Sequence, residues 1–195
     1  MKKIFILTLL ITLVTLVKAQ EFNTQLATAK SSYTSGKLDD SRFAMQQMLQ
    51  EIDIVVGKEV MKLLPAKLED KSANANRDKV TGTSGFVGVV IHRDYGPEDK
   101  NVNLEIISNS PMLAGINALL SLPLIGNSGD SKVVRIAGYK ALVQKNGEAD
   151  KPEYSVQVPL NTSLLTLTAP EGMTQDQVIK MANAIPVDKI AKMLQ

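Results

Sequence analysis

The apolar residues of this chain follow two rhythms, one helical and one strand-like. Between Gln20 and about Asp70 the period is near 3.6, and Phe22, Leu26, Ala29 and Tyr33 fall on one side of a first helix. Thr34-Ser35-Gly36 interrupts it. Asp39 or Asp40 caps a second helix, because a short carboxylate accepts from the free N–H groups of the first turn. Met45, Met48, Leu49, Ile52, Val56 and Leu63 then make a second apolar stripe, which Pro65 ends. Gly57 sits inside that helix, where glycine costs about 1 kcal/mol relative to alanine. Two helices around a short polar break predict an antiparallel hairpin over residues 20–70. Residues 71–83 are mostly small and polar, include Ser72-Ala73-Asn74-Ala75-Asn76 and Gly82, and read as a linker.

Residues 84–195 carry the second rhythm. Phe86 to Arg93 is rich in β-branched residues, and Val102, Leu104 and Ile106 alternate with Asn103, Glu105 and Ile107. The segment Asp94 to Asn101, with Gly96-Pro97, joins these two strands as a hairpin. Ser110 as cap and Pro111 in the first turn start a helix whose Met112, Leu113, Ile116, Leu119 and Leu120 bury one side. Pro123 and Gly126-Asn127-Ser128-Gly129 stop it. Three further strands are predicted over Lys132 to Gln144, Glu153 to Leu160 and Leu164 to Thr168. Thr174 with Gln177 forms a capping box, Pro186 breaks the helix that follows, and Asp188 restarts a last turn. The order is α-α, then β-β-α-β-β-β-α. Strands joined by short hairpins argue for an antiparallel sheet with packed helices, an α+β fold.

Two resemblances follow from these elements. Ala29, Tyr33, Gly36, Leu38, Met45 and Met48 resemble the spacing of a single tetratricopeptide unit, although Ser41 stands where that pattern has Ala and Asp53 where it closes with Pro. The β-β-α-β-β-β-α order over 84–185 resembles the PsbP-like α/β/α sandwich in topology, without a signature motif. Members of that superfamily are mostly accessory or binding proteins of exported compartments, so the resemblance implies binding rather than catalysis.

The N-terminus changes the expected compartment. Lys2-Lys3, an uncharged apolar run from Ile4 to Val17, and Val17-Lys18-Ala19 compose a signal peptide cut after Ala19. The run is too short to span a ~30 Å hydrocarbon core comfortably as a helix. With residues 1–19 gone, three of the 22 basic residues leave and none of the 20 acidic ones, so 19 face 20 and the mature chain is near −1. That near-neutral charge offers no footprint for nucleic acid or anionic lipid. The chain has no cysteine, which excludes a lipoprotein anchor, disulfides and thiolate metal sites. No transmembrane anchor is expected. A Lys-rich, Cys-free exported chain points to a soluble periplasmic or secreted protein.

Catalytic signals are sparse. His92-Arg93-Asp94 mimics the catalytic triplet of protein kinases, but position 99 is Asp where that motif needs Asn, and no glycine-rich nucleotide loop accompanies it. His92 is the sole histidine, which argues against a zinc enzyme, and no G-x-S-x-G elbow exists for a serine hydrolase. Asp94, Glu98 and Asp99 crowd one loop, and Glu148, Asp150 and Glu153 another; such oxygen-rich turns suit calcium or plain solvation. Their carboxylates could also serve a hydrolase, yet the chain has no Trp to line a sugar cleft.

The expectation is an exported, non-enzymatic accessory protein that binds another exported or envelope protein and needs no metal or cofactor. Met45, Met48 and Ile52 on the second helix are the expected contact residues. Two alternatives stand beside it. One is a small-ligand or lipid carrier with an apolar pocket between the sheet and Met112, Ile116, Leu119 and Leu120. The other is a carboxylate-based hydrolase.

Overall fold

A computed structural model describes residues 21–83, 88–122, 130–148 and 150–195 of this α+β protein. The chain divides into two compact units, one ending at Ile52 and one running Asp53–Gln195. The boundary falls inside the second helix rather than in the segment 71–83, so the hairpin expected over 20–70 is shared between the units.

The first unit holds helix α1 (21–34) and the first half of α2 (Leu38–Leu63). Gly36, at φ +74°, ends α1, a left-handed conformation that costs glycine little. Lys37 N–H donates to Ser32 O at 2.9 Å across the turn. Among the described residues of this unit the buried ones are all small: Ala29, Ser32, Ser41 and Ala44. Ser41 Oγ donates to Ala29 O at 2.8 Å. Small side chains on both helices let them approach closely, and among the described residues no large apolar side chain of the pair is buried between them.

The second unit is built on a seven-stranded antiparallel sheet. Its strands are β3 (Lys79–Gly82), β4 (Val89–Tyr95), β5 (Val102–Ser108), β6 (Ser131–Ile136), β7 (Tyr139–Glu148), β8 (Lys151–Leu160) and β9 (Ser163–Ala169). Their spatial order is β3-β4-β5-β9-β8-β7-β6. Helix α3 (Leu113–Ser121) comes between β5 in the middle and β6 at the far edge, and a meander then returns β9 to β5. A small hairpin of β1 (Lys67–Leu68) and β2 (Lys71–Ser72) precedes the sheet.

Alternation along the strands sorts side chains onto two faces. Ile91, Tyr95, Leu104, Ile106, Leu165, Leu167, Val156 and Val158 share one core with Val60 of α2 and Leu64 just after it. Helices α4 (Gln175–Asn183) and α5 (Val187–Met193) close the same core through Val178, Met181, Val187 and Ile190. The opposite face is mixed, with His92, Asn103, Glu105, Thr166 and Gln157 in adjacent strands. Helix α3 covers part of it, Ile116 and Leu120 packing on Leu142 and Leu164.

Several local expectations match: α2 stops before Pro65, Thr174 and Gln177 form a reciprocal capping box, and Pro186 separates α4 from α5. Three need correction. The expected strand Lys132 to Gln144 is two strands, β6 and β7, joined by a turn at Ala137-Gly138 in which both residues have positive φ. The order over 84–185 is thus β-β-α-β-β-β-β-α, one strand more than the PsbP-like order. The expected linker 71–83 is structured: β2 pairs with β1, a 3-10 turn spans Ala75–Arg77, and β3 is the sheet edge paired in register with β4. Its polar composition reflects an edge strand and a tight turn, whose backbone bonds do not need apolar side chains. Lastly, Gly57 is not a weak point. A Cβ there would stand 2.6 Å from Val89 Cγ2 and 2.7 Å from Val80 Cγ1, so its absence lets α2 lie against β3 and β4. Pro123 and Gly126-Asn127-Ser128-Gly129, expected to stop α3, lie outside the described residues.

Candidate functional site

The hairpin buries its small residues and displays its large ones. On α1, Leu26 and Tyr33 are 51% and 68% exposed, and Phe22 is half-buried. On α2, Leu38, Met45, Leu49 and Ile52 are exposed by 46–61%. Successive residues advance by about 100° around a helix. On α1 the apolar stripe therefore lies roughly 70° from the side carrying Ala29 and Ser32, and on α2 roughly 80°, in the same sense, from the side carrying Ser41 and Ala44. The helices are antiparallel partners, so rotations of equal sense bring both stripes to the same side of the pair. The result is one broad apolar face across two helices.

Of the expected contact residues, Met45 and Ile52 lie on this face. Met48 is half-buried and falls on the side of Ser41 and Ala44. Sequence reasoning passed over Leu38, Tyr33 and Leu26 as contact residues. Leu38, Met45, Leu49 and Ile52 recur at steps of seven, four and three, a signal present in the chain that marks a helix seam. Phe43 is also exposed, at 61%, but projects from the opposite side of α2.

The alternative pocket under α3 is occupied by its own side chains. Ile116 and Leu120 are buried against Leu142 and Leu164, Leu119 is half-buried, and Met112 is 52% exposed. None of these four lines a described cleft.

The His92-Arg93-Asp94 triplet is spread over both faces of β4. His92 and Asp94 point to the mixed face, where Asn103 Nδ2 donates to Asp94 Oδ1 at 3.1 Å and His92 Nε2 lies 3.3 Å from the same oxygen. Asp94 is 1% exposed, and Arg77 Nε approaches its Oδ2 at 2.9 Å as an ion pair without hydrogen-bond alignment. Asp94 thereby ties the 3-10 turn to the sheet, and its backbone O accepts from Asn74 N–H at 2.8 Å. Arg93 faces the other way, its Nε donating to Asp78 Oδ1 at 2.9 Å and its Nη1 to Leu64 O at 3.2 Å. The bond to Asp78 holds the Arg93 guanidinium above its ordinary value. Tyr95 Oη donates to Pro65 O at 3.0 Å, and burial pushes its phenol up to about 12. These groups pin the end of α2 and the 3-10 turn to β4. They bring no nucleophile to His92.

The two acidic loops, separate in sequence, meet in space. Asp99, Asp150, Glu153 and Glu171 line one open cleft of about 540 Å³ together with Lys100 and Lys151. Among the described residues no group of three His, Asp or Glu side chains is placed to hold a metal ion. Asp94 is turned away from this cleft into its own ion pair. Asp53, on α2 beside Gly88, is the one described carboxyl held above its ordinary range, by desolvation. No described helix is long and apolar enough to cross a membrane. No family model, curated protein or solved structure matches the chain.

Proposed function

We propose that this is an exported, non-enzymatic binding protein that acts through protein–protein contact on its N-terminal hairpin. A single observation carries the reading: the hairpin buries Ala29, Ser32, Ser41 and Ala44 while Leu26, Tyr33, Leu38, Met45, Leu49 and Ile52 stay exposed on one side. Contiguous exposed apolar surface of this extent on a water-facing protein marks an interaction site. The leader supplies the address, with Lys2-Lys3, the apolar run and Ala19 directing export and cleavage. Catalysis finds less support, since His92 and Asp94 are engaged with Asn103 and Arg77 in fixing a turn.

Leu49→Asp tests this. Leu49 is 61% exposed, so the substitution adds a solvated charge rather than a buried one. The variant is expected to melt like the parent and to lose proteins cross-linked to it in its native compartment. An unchanged cross-linked set with an unchanged melt would remove the hairpin from the function.

A further inference from the structure

We propose that the apolar face of the hairpin is a self-association surface, and that what covers it is the same face of a second copy of this chain. The proposal rests on the protein-binding reading above and names the partner. The described residues of the first unit are a layer of two helices that touch through small residues and leave their large apolar side chains exposed. Stable domains pair such layers. A lone partner helix would sit over one groove. A second hairpin covers the Phe22-Leu26-Tyr33 stripe and the Leu38-Met45-Leu49-Ile52 stripe together, making a four-helix arrangement with these residues inside.

Area and charge both allow it. Each large side chain, about half exposed, presents on the order of 100 Å². Both stripes together then remove roughly 700 Å² per copy, close to the ~800 Å² per partner of a standard specific interface. Residues 21–52 carry Lys30, Lys37 and Arg42 against Glu21, Asp39, Asp40 and Glu51, three basic against four acidic, so like-charge repulsion between copies is small. A two-fold pairing is isologous, and one set of residues serves both sides. Arg42, seven residues before Leu49, is the one charged residue beside the α2 stripe; it is exposed, and its long side chain can keep the guanidinium in water at the rim of the pair.

Sedimentation equilibrium on the purified chain 20–195, from low to several hundred micromolar, tests the proposal. A monomer–dimer equilibrium is expected. Leu49→Asp should weaken it by roughly tenfold or more, as loss of a central apolar anchor does. Phe43→Asp, on the opposite side of α2, should leave it unchanged. Circular dichroism melts of both variants, with the milder Leu49→Gln as a second substitution, separate lost association from lost folding. A monomer at every concentration overturns the proposal, as does a dimer that Leu49→Asp and Leu49→Gln leave intact. A chain that stays monomeric alone while Leu49→Asp abolishes cross-linking to a different protein refutes the second copy and keeps the protein-binding reading. A dimer broken by Leu49→Asp with no other cross-linked protein supports the second copy.

Discussion

Gly57 shows how one residue changes meaning between chain and fold. In isolation Gly57→Ala should strengthen α2 by about 1 kcal/mol through helix propensity. In the fold, the added methyl meets Val89 and Val80 well inside contact distance. Overpacking of that kind typically costs about 1–3 kcal/mol. Gly57→Ala is therefore expected to lower the urea midpoint, and a higher midpoint would show that α2 does not bear on β3 and β4.

Tyr95 makes the pH dependence specific. Burial favours its neutral phenol, so the folded protein keeps that proton from the ordinary value of 10 up to about 12. The folded state then binds more protons than the unfolded one in that window, and stability falls as pH rises through it. Below pH 10 this contribution is fully present. Tyr95→Phe should cost about 1 kcal/mol at neutral pH, because Pro65 O loses its donor. It should also flatten the alkaline loss between pH 10 and 12, as followed by denaturant titration at each pH. Equal alkaline slopes in parent and variant would contradict the assignment.

Among the elements, the β6–β7 hairpin is one the sequence hid. Two-residue hairpin turns with positive φ at both positions favour Asn-Gly or Asp-Gly. This chain has Ala137-Gly138, with Ala137 at φ +47° and Gly138 at φ +89°. Val133, Val134 and Ile136 before the turn and Ala141, Leu142 and Val143 after it read as one apolar run when the turn lacks its usual residue. The ladder tolerates the strained alanine because six residue pairs from Ser131↔Gln144 to Ile136↔Tyr139 fix the register. Ala137→Asn should relieve the strain and raise stability by roughly 0.5–1 kcal/mol, since Asn enters the left-handed region more readily than Ala. A thermal melt reads this directly, and a lowered melting temperature would mean that the side chain at 137 is otherwise constrained.

The capping box of α4, the Pro65 stop of α2 and the break at Pro186 were legible because each is decided within a few residues. The edge strand β3 was not. Its Lys79, Val80, Thr81 and Gly82 show no strong alternation, and pairing to His92, Ile91, Val90 and Val89 creates it. A strand whose existence depends on its neighbour carries a weak local signal.

At the scale of the molecule, stability should be uneven. The sheet unit buries the core face of its central strands, with Ile106, Leu165 and Val158 all at 0% exposure. Among its described residues the hairpin unit buries two alanines and two serines. Segments with few buried apolar contacts open locally at low free energy. Amides of 21–34 are thus expected to exchange much faster than those of β5, β8 and β9 at low protein concentration, as measured by hydrogen–deuterium exchange. Protection of α1 that grows with concentration would accompany self-association. Protection equal to that of β9 in the isolated monomer would require apolar burial that the hairpin's own residues do not supply.

The chain by itself determined the class and most of the elements. Apolar periods of 3.6 and 2 separate helix from strand, the Thr174 capping box, Pro65 and Pro186 place three helix ends, and the absence of cysteine removes disulfide and thiolate chemistry. These are local properties, each settled by residues close in sequence. Only the tertiary structure decided which apolar residues go inside. On α2 the stripe named from the sequence mixes Val56, half-buried among the sheet core, with Leu49 and Ile52, left in solvent. A helical period records which side of a helix is apolar but not what stands opposite that side. The same holds for Asp99 and Asp150, distant in the chain and neighbours in one cleft, and for Asp94, whose partners Arg77 and Asn103 come from other elements. Long-range packing sets those neighbours, and no short window of sequence contains both partners.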